Sequence, residues 1–171
     1  MFCGTTTTSG QEMQLQKAGP EFNVFKPDVG TWDVEIKAWA GPGEPTVTKG
    51  KETNRMLGAF WMLADFQGSM MGMDFKGHGI YSYDVEKKQY IGTWVDSMSS
   101  KKMDMVGSYD KDSHTMTYEG MAPGPDGNPA KHVLTTKYKD DGTRTLIMHM
   151  QAGTEMMKVF EMTYKKAKDQ S

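Results

Sequence analysis

Four histidines, one cysteine and several methionine clusters are the side chains of this 171-residue chain best suited to chemistry. His78, His114, His132 and His149 fall on separate strands or turns, so none forms the close histidine pair of a helical zinc site. His132 is the best placed of the four. It shares a strand face with Leu134, Thr136 and Tyr138, and a haem or metal held by an inward histidine would use it. Cys3 sits in a Gly/Thr-rich stretch, and a single cysteine makes neither an internal disulfide nor a cysteine cluster. Ser69 lacks the spacing of a nucleophile elbow. Gly77-His-Gly79 lacks the third glycine and the helix of a dinucleotide fingerprint, and Gly124-Pro-Asp-Gly127 is loop sequence. No catalytic residue, metal ligand or cofactor is assigned from these motifs.

The methionines pose a choice. Met70-Met71-Gly-Met73, Met103-Asp-Met105 and Met148-His-Met150 carry thioethers two residues apart, and thioethers suit Cu(I). Residues two apart on a strand also share one buried face, so core packing or an apolar cavity is the preferred reading. Polar residues on the same faces are the better lead. Asp96 shares a face with Trp94 and Tyr90, and Arg55 lies in a strand leading to Met56-Leu57. A buried carboxylate is costly unless paired, so Asp96 near Arg55 or His132 could hold the polar head of an otherwise apolar ligand. The simpler reading, and the one preferred here, is a strand-end or structurally paired acid.

The elements that position these residues are nearly all strands. Gly79 to Ser97 reads as one hairpin, with Tyr81 and Tyr83 on one arm, Tyr90, Trp94 and Asp96 on the other, and a polar turn opened by Asp84. Thr31 to Ala40 alternates Trp32, Val34, Ile36 and Ala38 against Asp33, Glu35 and Lys37. Thr46 to Leu57 is polar and Thr-rich, and Ala59 to Phe66 sets Phe60, Met62, Ala64 and Phe66 on one face. Gln67 to Met73 reads as a turn region. Met103, Met105, Gly107 and Tyr109 align, as do Leu146, Met148 and Met150, and Phe160, Met162 and Tyr164. Met121 to Ala130, dense in Pro and Gly, is predicted to be a long loop, and Lys139 to Gly142 a hairpin turn.

At the N-terminus, 1–10 reads as a mobile tail, 11–18 as a short helix and Glu21 to Phe25 as a further turn. Phe22 and Phe25, three apart, could plug an apolar opening, although an ordinary packed segment is the preferred reading. This gives a short N-terminal segment over 1–21, one β-domain over 22–165 and a charged tail over 166–171. About ten short strands without alternating helices imply an all-β barrel or sandwich.

The totals fit that picture. The length suits one domain with a real core. A net charge of −2, from 20 basic and 22 acidic residues, argues against an electrostatic nucleic-acid binder. No apolar run is long enough for a membrane-spanning helix, and the sequence shows no signal peptide, so the expected location is cytoplasmic. Seventeen methionines and 19 glycines suit an adaptable apolar interior and many kinked strands.

Gly30-Thr-Trp32 at the first strand resembles the Gly-x-Trp motif of lipocalins. Taken with Gly58-Ala-Phe-Trp, Tyr83-Asp84, Trp94-Val-Asp96-Ser97, Gly107-Ser-Tyr-Asp110 and Glu161-Met-Thr-Tyr164, the chain resembles a bacterial family of unknown function. The members of that family are calycin-like β-barrels, relatives of lipocalins and fatty-acid-binding proteins. The resemblance runs over 22–165. It implies an up-and-down barrel with a central cavity, covered by the N-terminal segment, and Trp32 packed at the closed end. It supplies no catalytic residues. Gly41 to Pro45 stands where fatty-acid-binding proteins carry a helical lid, which argues against their type of portal.

The functional expectation is a non-enzymatic binding barrel for a small apolar or amphipathic molecule. Its expected lining comprises Arg55, Phe60, Met62, Tyr81, Trp94, Asp96, Met103, Met105, His132, Leu134, Met148 and Phe160. Two alternatives stand beside it: a haem- or metal-linked barrel enzyme using His132, and an interaction barrel with a filled core whose outward Trp39 and Trp61 mark a homodimer surface.

Overall fold

Ten antiparallel strands form a closed up-and-down barrel in the computed structural model, which describes residues 17–70 and 72–168. The expected tail over 1–10, the expected helix up to residue 16, Cys3, Met71 and the last three residues lie outside the described residues. The strands are β1 (Gly30–Ala38), β2 (Thr46–Leu57), β3 (Trp61–Met70), β4 (Met73–Asp84), β5 (Gln89–Asp96), β6 (Met103–Asp110), β7 (Thr115–Pro123), β8 (Pro129–Tyr138), β9 (Arg144–Ala152) and β10 (Glu155–Lys166). Each pairs with its sequence neighbours, and β1 closes the ring on β10, from Trp32 opposite Lys166 to Ala38 opposite Phe160. Closure leaves no free sheet edge. Among the described residues no helix is long and apolar enough to cross a membrane.

Alternation decides what faces inward. Trp32, Val34 and Ile36 of β1 are buried, as are Met62, Ala64 and Phe66 of β3, Met103 and Met105 of β6, and Met162 and Tyr164 of β10. The hairpin of β4 and β5 pairs as the sequence reading has it, with Tyr83 opposite Tyr90 and Asp84 opposite Gln89. Asp84 Oδ1 accepts hydrogen bonds from the backbone N–H groups of Glu86 and Lys87, and Lys88 takes the left-handed conformation that ends the turn. The hairpin of β6 and β7 repeats the device. Asp110 Oδ1 accepts from Asp112 and Ser113, and His114 is left-handed.

Two stretches depart from the sequence reading. β3 continues to Met70, through part of the expected turn region. The Pro/Gly-rich stretch from Met121 to Ala130 is mostly strand, since β7 reaches Pro123 and β8 starts at Pro129, leaving only 124–128 as loop. Pro123 and Pro129 face each other at the final rung of the ladder. A missing N–H is tolerated at that position.

The N-terminal segment closes one end of the barrel. Pro20–Asp28 is a 3-10 helix that starts on a proline, whose missing N–H costs nothing there. At three residues per turn, Phe22, Phe25 and Asp28 lie one above another, and all three are buried. Phe22 meets Phe60 and Tyr83 edge-on at 5.3 and 6.0 Å, and Phe25 meets Tyr90 edge-on at 5.8 Å. Tyr90 donates a hydrogen bond to the Glu21 carbonyl at 3.1 Å. The segment is therefore a plug, contrary to the ordinary-packing reading preferred from sequence. Burying two phenylalanines contributes about 1.5–3 kcal/mol each.

Candidate functional site

Among the described residues the opposite end of the barrel is open. A cavity of about 430 Å³ runs inward from a rim that includes Met70, Met98, Ser99 and Pro123. Two depressions of about 820 and 550 Å³ lie on the outer wall among charged side chains such as Asp33, Lys49, Lys51 and Lys76. They are shallow and solvent-facing, whereas the interior cavity is walled by apolar side chains, so the interior one is the candidate site.

Glycine makes room for the large rings of this wall. A Cβ on Gly77 would collide with the Trp94 indole, which lies across the inner surface of β4. At Gly92 a Cβ would stand 2.7 Å from the Tyr81 ring. The packed rings need those glycines for space, not for backbone freedom.

Most of the residues expected from sequence face this cavity. Tyr81, Trp94, Asp96, Met103, Met105, His132, Leu134, Met148 and Phe160 line it. Three do not. Arg55 is exposed on the outer face of β2, because Glu52 and Asn54 take the inward positions. Phe60 packs against the plug at the closed end. Met62 lines a smaller chamber below the cavity.

The polar members of the wall are held in place. Trp94 Nε1 donates to Asp96 Oδ2 at 3.1 Å, and the Met98 N–H donates to Asp96 Oδ1 at 2.9 Å. His132 is 6 % exposed, and its Nδ1 lies 3.0 Å from the Ala130 carbonyl oxygen. Nδ1 therefore donates to that carbonyl, and in the neutral ring Nε2 is the nitrogen with the free lone pair. The remaining histidines sit elsewhere: His78 pairs with Asp65 at 2.7 Å on the outer surface, His114 lies 3.5 Å from the Tyr109 hydroxyl, and His149 stands between Val133 and Lys158 in the sheet.

Below the cavity, against the plug, is a chamber of about 70 Å³ whose polar residues the sequence reading missed. Arg144 is its centre. Nη1 donates to Asp28 Oδ1, and Nη2 donates to Glu52 Oε1 at 2.6 Å. The guanidinium lies 4.3 Å from the ring centroids of both Trp32 and Tyr164. Tyr138 donates to Asp28 Oδ2 at 2.8 Å, Tyr164 to Glu52 Oε2 at 3.2 Å, and Asn54 Nδ2 to Glu52 Oε1 at 2.9 Å. Trp32 Nε1 donates to the Asp28 carbonyl at 2.7 Å, which ties the end of the plug to β1. Trp32 thus packs at the closed end, where the family resemblance puts it.

Two carboxylates share one guanidinium, so the cluster carries an excess negative charge when both are ionised. Burial pushes the carboxyls of Asp28 and Glu52 above their ordinary values, against the opposing pull of Arg144. Both groups therefore hold a proton more readily folded than unfolded. Their contribution to stability is fully present below the ordinary values of 3.8 and 4.5, and is lost as pH rises through the raised folded values. Half-buried Asp84 and exposed Asp110, lowered by turn hydrogen bonds, act in the opposite sense at more acid pH. Asp28→Asn is expected to flatten the fall in melting temperature between the carboxylate range and neutrality. An unchanged slope in thermal melts across that range would contradict this assignment.

Comparison with known proteins agrees with the fold. The crystal structure of Rv2717c from M. tuberculosis superposes with a TM-score of 0.67 at 10 % identity, covering 89 % of this chain and 100 % of that one. At that identity the likeness speaks for the barrel alone. No curated protein matches the chain in sequence. A family model described as "Protein of unknown function (DUF1579)" matches residues 17–166, from just before the plug to the last residue of β10, and the chain belongs to that family.

Proposed function

We propose that the barrel binds a small apolar or amphipathic molecule in its open interior and does so without catalysing a reaction. The observation that carries this reading is the cavity of about 430 Å³, walled by Phe75, Trp94, Met103, Met148 and Phe160 with only a few fixed polar groups. Apolar walls with sparse, oriented polar groups are how small-molecule sites gain affinity and orientation together. The methionines suit a wall that adapts to ligand shape.

The test is a titration with a neutral environment-sensitive dye, N-phenylnaphthylamine. Saturable one-to-one binding with enhanced emission is expected. Met148→Trp, which fills the cavity from β9, is expected to weaken it by about tenfold or more, the equivalent of about 1.4 kcal/mol. Equal binding by the variant would move the dye site out of the barrel and contradict the reading.

His132 supports a second reading, haem held by a histidine, because its Nδ1 is engaged by the Ala130 carbonyl and Nε2 of this cavity-lining ring is the nitrogen left for a ligand bond. Haemin titration separates the two. A shifted Soret band that disappears in His132→Ala favours haem, and an unshifted band leaves the apolar-ligand reading. An interaction barrel with a filled core is the weaker alternative, because the core holds a cavity. Of its two marker residues, Trp61 is 40 % exposed, whereas Trp39 is half-buried, with Lys158 Nζ 4.4 Å from its ring centroid.

A further inference from the structure

Two polar atoms in the lower chamber have no hydrogen-bond partner among the described residues: the Tyr118 hydroxyl and Asn54 Oδ1. Both residues are more than nine-tenths buried, at 8 % and 2 % exposure, and both line the chamber. The Asn54 amide cannot be turned to relieve this. Its Nδ2 donates to the Asp28 carbonyl at 3.2 Å and to Glu52 at 2.9 Å, so a flip would set Oδ1 against two acceptors. An unpartnered buried polar atom is costly, because it has given up water and gained nothing in return. The chamber adjoins the ligand cavity directly, since Glu52, Tyr81, Met105, Leu134, Leu146 and Tyr164 border both.

The two orphans are complementary in kind. Tyr118 offers a hydrogen that needs an acceptor, and Asn54 offers an acceptor that needs a hydrogen. A hydroxyl supplies both. A carboxylate supplies no hydrogen and would bring a third negative group beside Asp28 and Glu52. The one cation of the chamber wall, Arg144, already has both terminal nitrogens on those acids and an aromatic ring against it on either hand. An ammonium would satisfy Asn54 but leave the Tyr118 hydrogen without an acceptor.

We propose that the chamber takes the hydroxyl head of an uncharged amphipathic alcohol whose apolar chain occupies the cavity above, and that it rejects a carboxylate. The proposal rests on the ligand-binding reading of the cavity and names the class of ligand.

The test is displacement of N-phenylnaphthylamine from the full chain by decanol, decanoate, decylammonium and methyl decanoate. Decanol is expected to displace the dye at a concentration about tenfold or more below that of decanoate and decylammonium. Tyr118→Phe is expected to remove about tenfold of the decanol affinity while leaving unchanged that of decylammonium, which brings Tyr118 no acceptor. This variant deletes an unpartnered hydroxyl and keeps the ring, so its melting temperature should match or exceed that of the parent. Decanoate or decylammonium competing as well as decanol, or Tyr118→Phe leaving decanol unaffected, would overturn the head-group assignment and leave the cavity reading standing. Failure of the dye and all four amphiphiles to bind would overturn both.

Discussion

Arg144→Met is expected to destabilise the barrel by about 3–5 kcal/mol in urea denaturation at neutral pH. The side chain is 6 % exposed and is the counter-charge for two acids, Asp28 and Glu52, that are themselves almost fully buried. Removing it leaves both carboxylates desolvated and unpaired, and the guanidinium's packing on Trp32 and Tyr164 goes with it. The sign of the pH effect separates this cause from loss of packing. As pH falls the two carboxyls protonate, so the deficit of the variant should shrink. Combining Arg144→Met with Asp28→Asn and Glu52→Gln should restore much of the loss, because a buried ionic cluster replaced as a whole costs far less than one that is broken. A loss below about 1 kcal/mol, the size of an exposed ion pair, would mean that water reaches the chamber.

The second large effect is at the plug. Phe25→Ala is expected to cost about 3–5 kcal/mol, the range for truncating a buried phenylalanine. Phe25 is 2 % exposed, stacks edge-on against Tyr90 and borders the chamber that holds Arg144. Its loss leaves a gap at the closed end between the apolar cluster and the charged one. Amide exchange of Phe22 to Asp28 should then speed up far more than that of the barrel strands. A uniform increase across the barrel would show instead that the plug and the barrel open as one unit.

The two variants also mark where the sequence was readable and where it was not. An apolar/polar alternation such as Trp32-Asp-Val-Glu-Ile36 carries its own orientation, and β1, β3, β6 and β10 could be faced correctly from it. β2 has no such signal. Its run from Thr46 to Asn54 is polar on both faces, so Arg55 looked as plausible inside as Glu52 and Asn54, which are the residues that turn in. Arg144 was legible in principle. Steps of two from Met148 and Leu146 lead to it, but a charge at the first position of a strand reads as a strand end. Asp28 was hidden by period. The interval from Phe22 to Phe25 continues to Asp28 only on a helix of three residues per turn, a geometry seldom held for nine residues. The partnerships of this cluster span more than ninety residues of sequence, from Glu52 to Arg144 and from Asp28 to Arg144, and closure of the barrel is what brings them together.

The upper wall was more legible because apolar and aromatic side chains supply both the core signal and the cavity lining. The difference between a filled core and an open one comes from the glycines. Gly77 and Gly92 face inward and let Trp94 and Tyr81 lie flat against the sheet, and composition does not show where a ring will lie.

Methyl NMR of the methionines, followed as decanol is added, reports directly on whether a ligand enters the barrel interior. The methyl signals of Met103, Met105 and Met148, inside the cavity, are expected to move and saturate together, with those of exposed Met121, Met156 and Met157 unchanged. Movement of the outer methionines alone, or no movement at saturating decanol, would contradict a ligand site in the barrel interior.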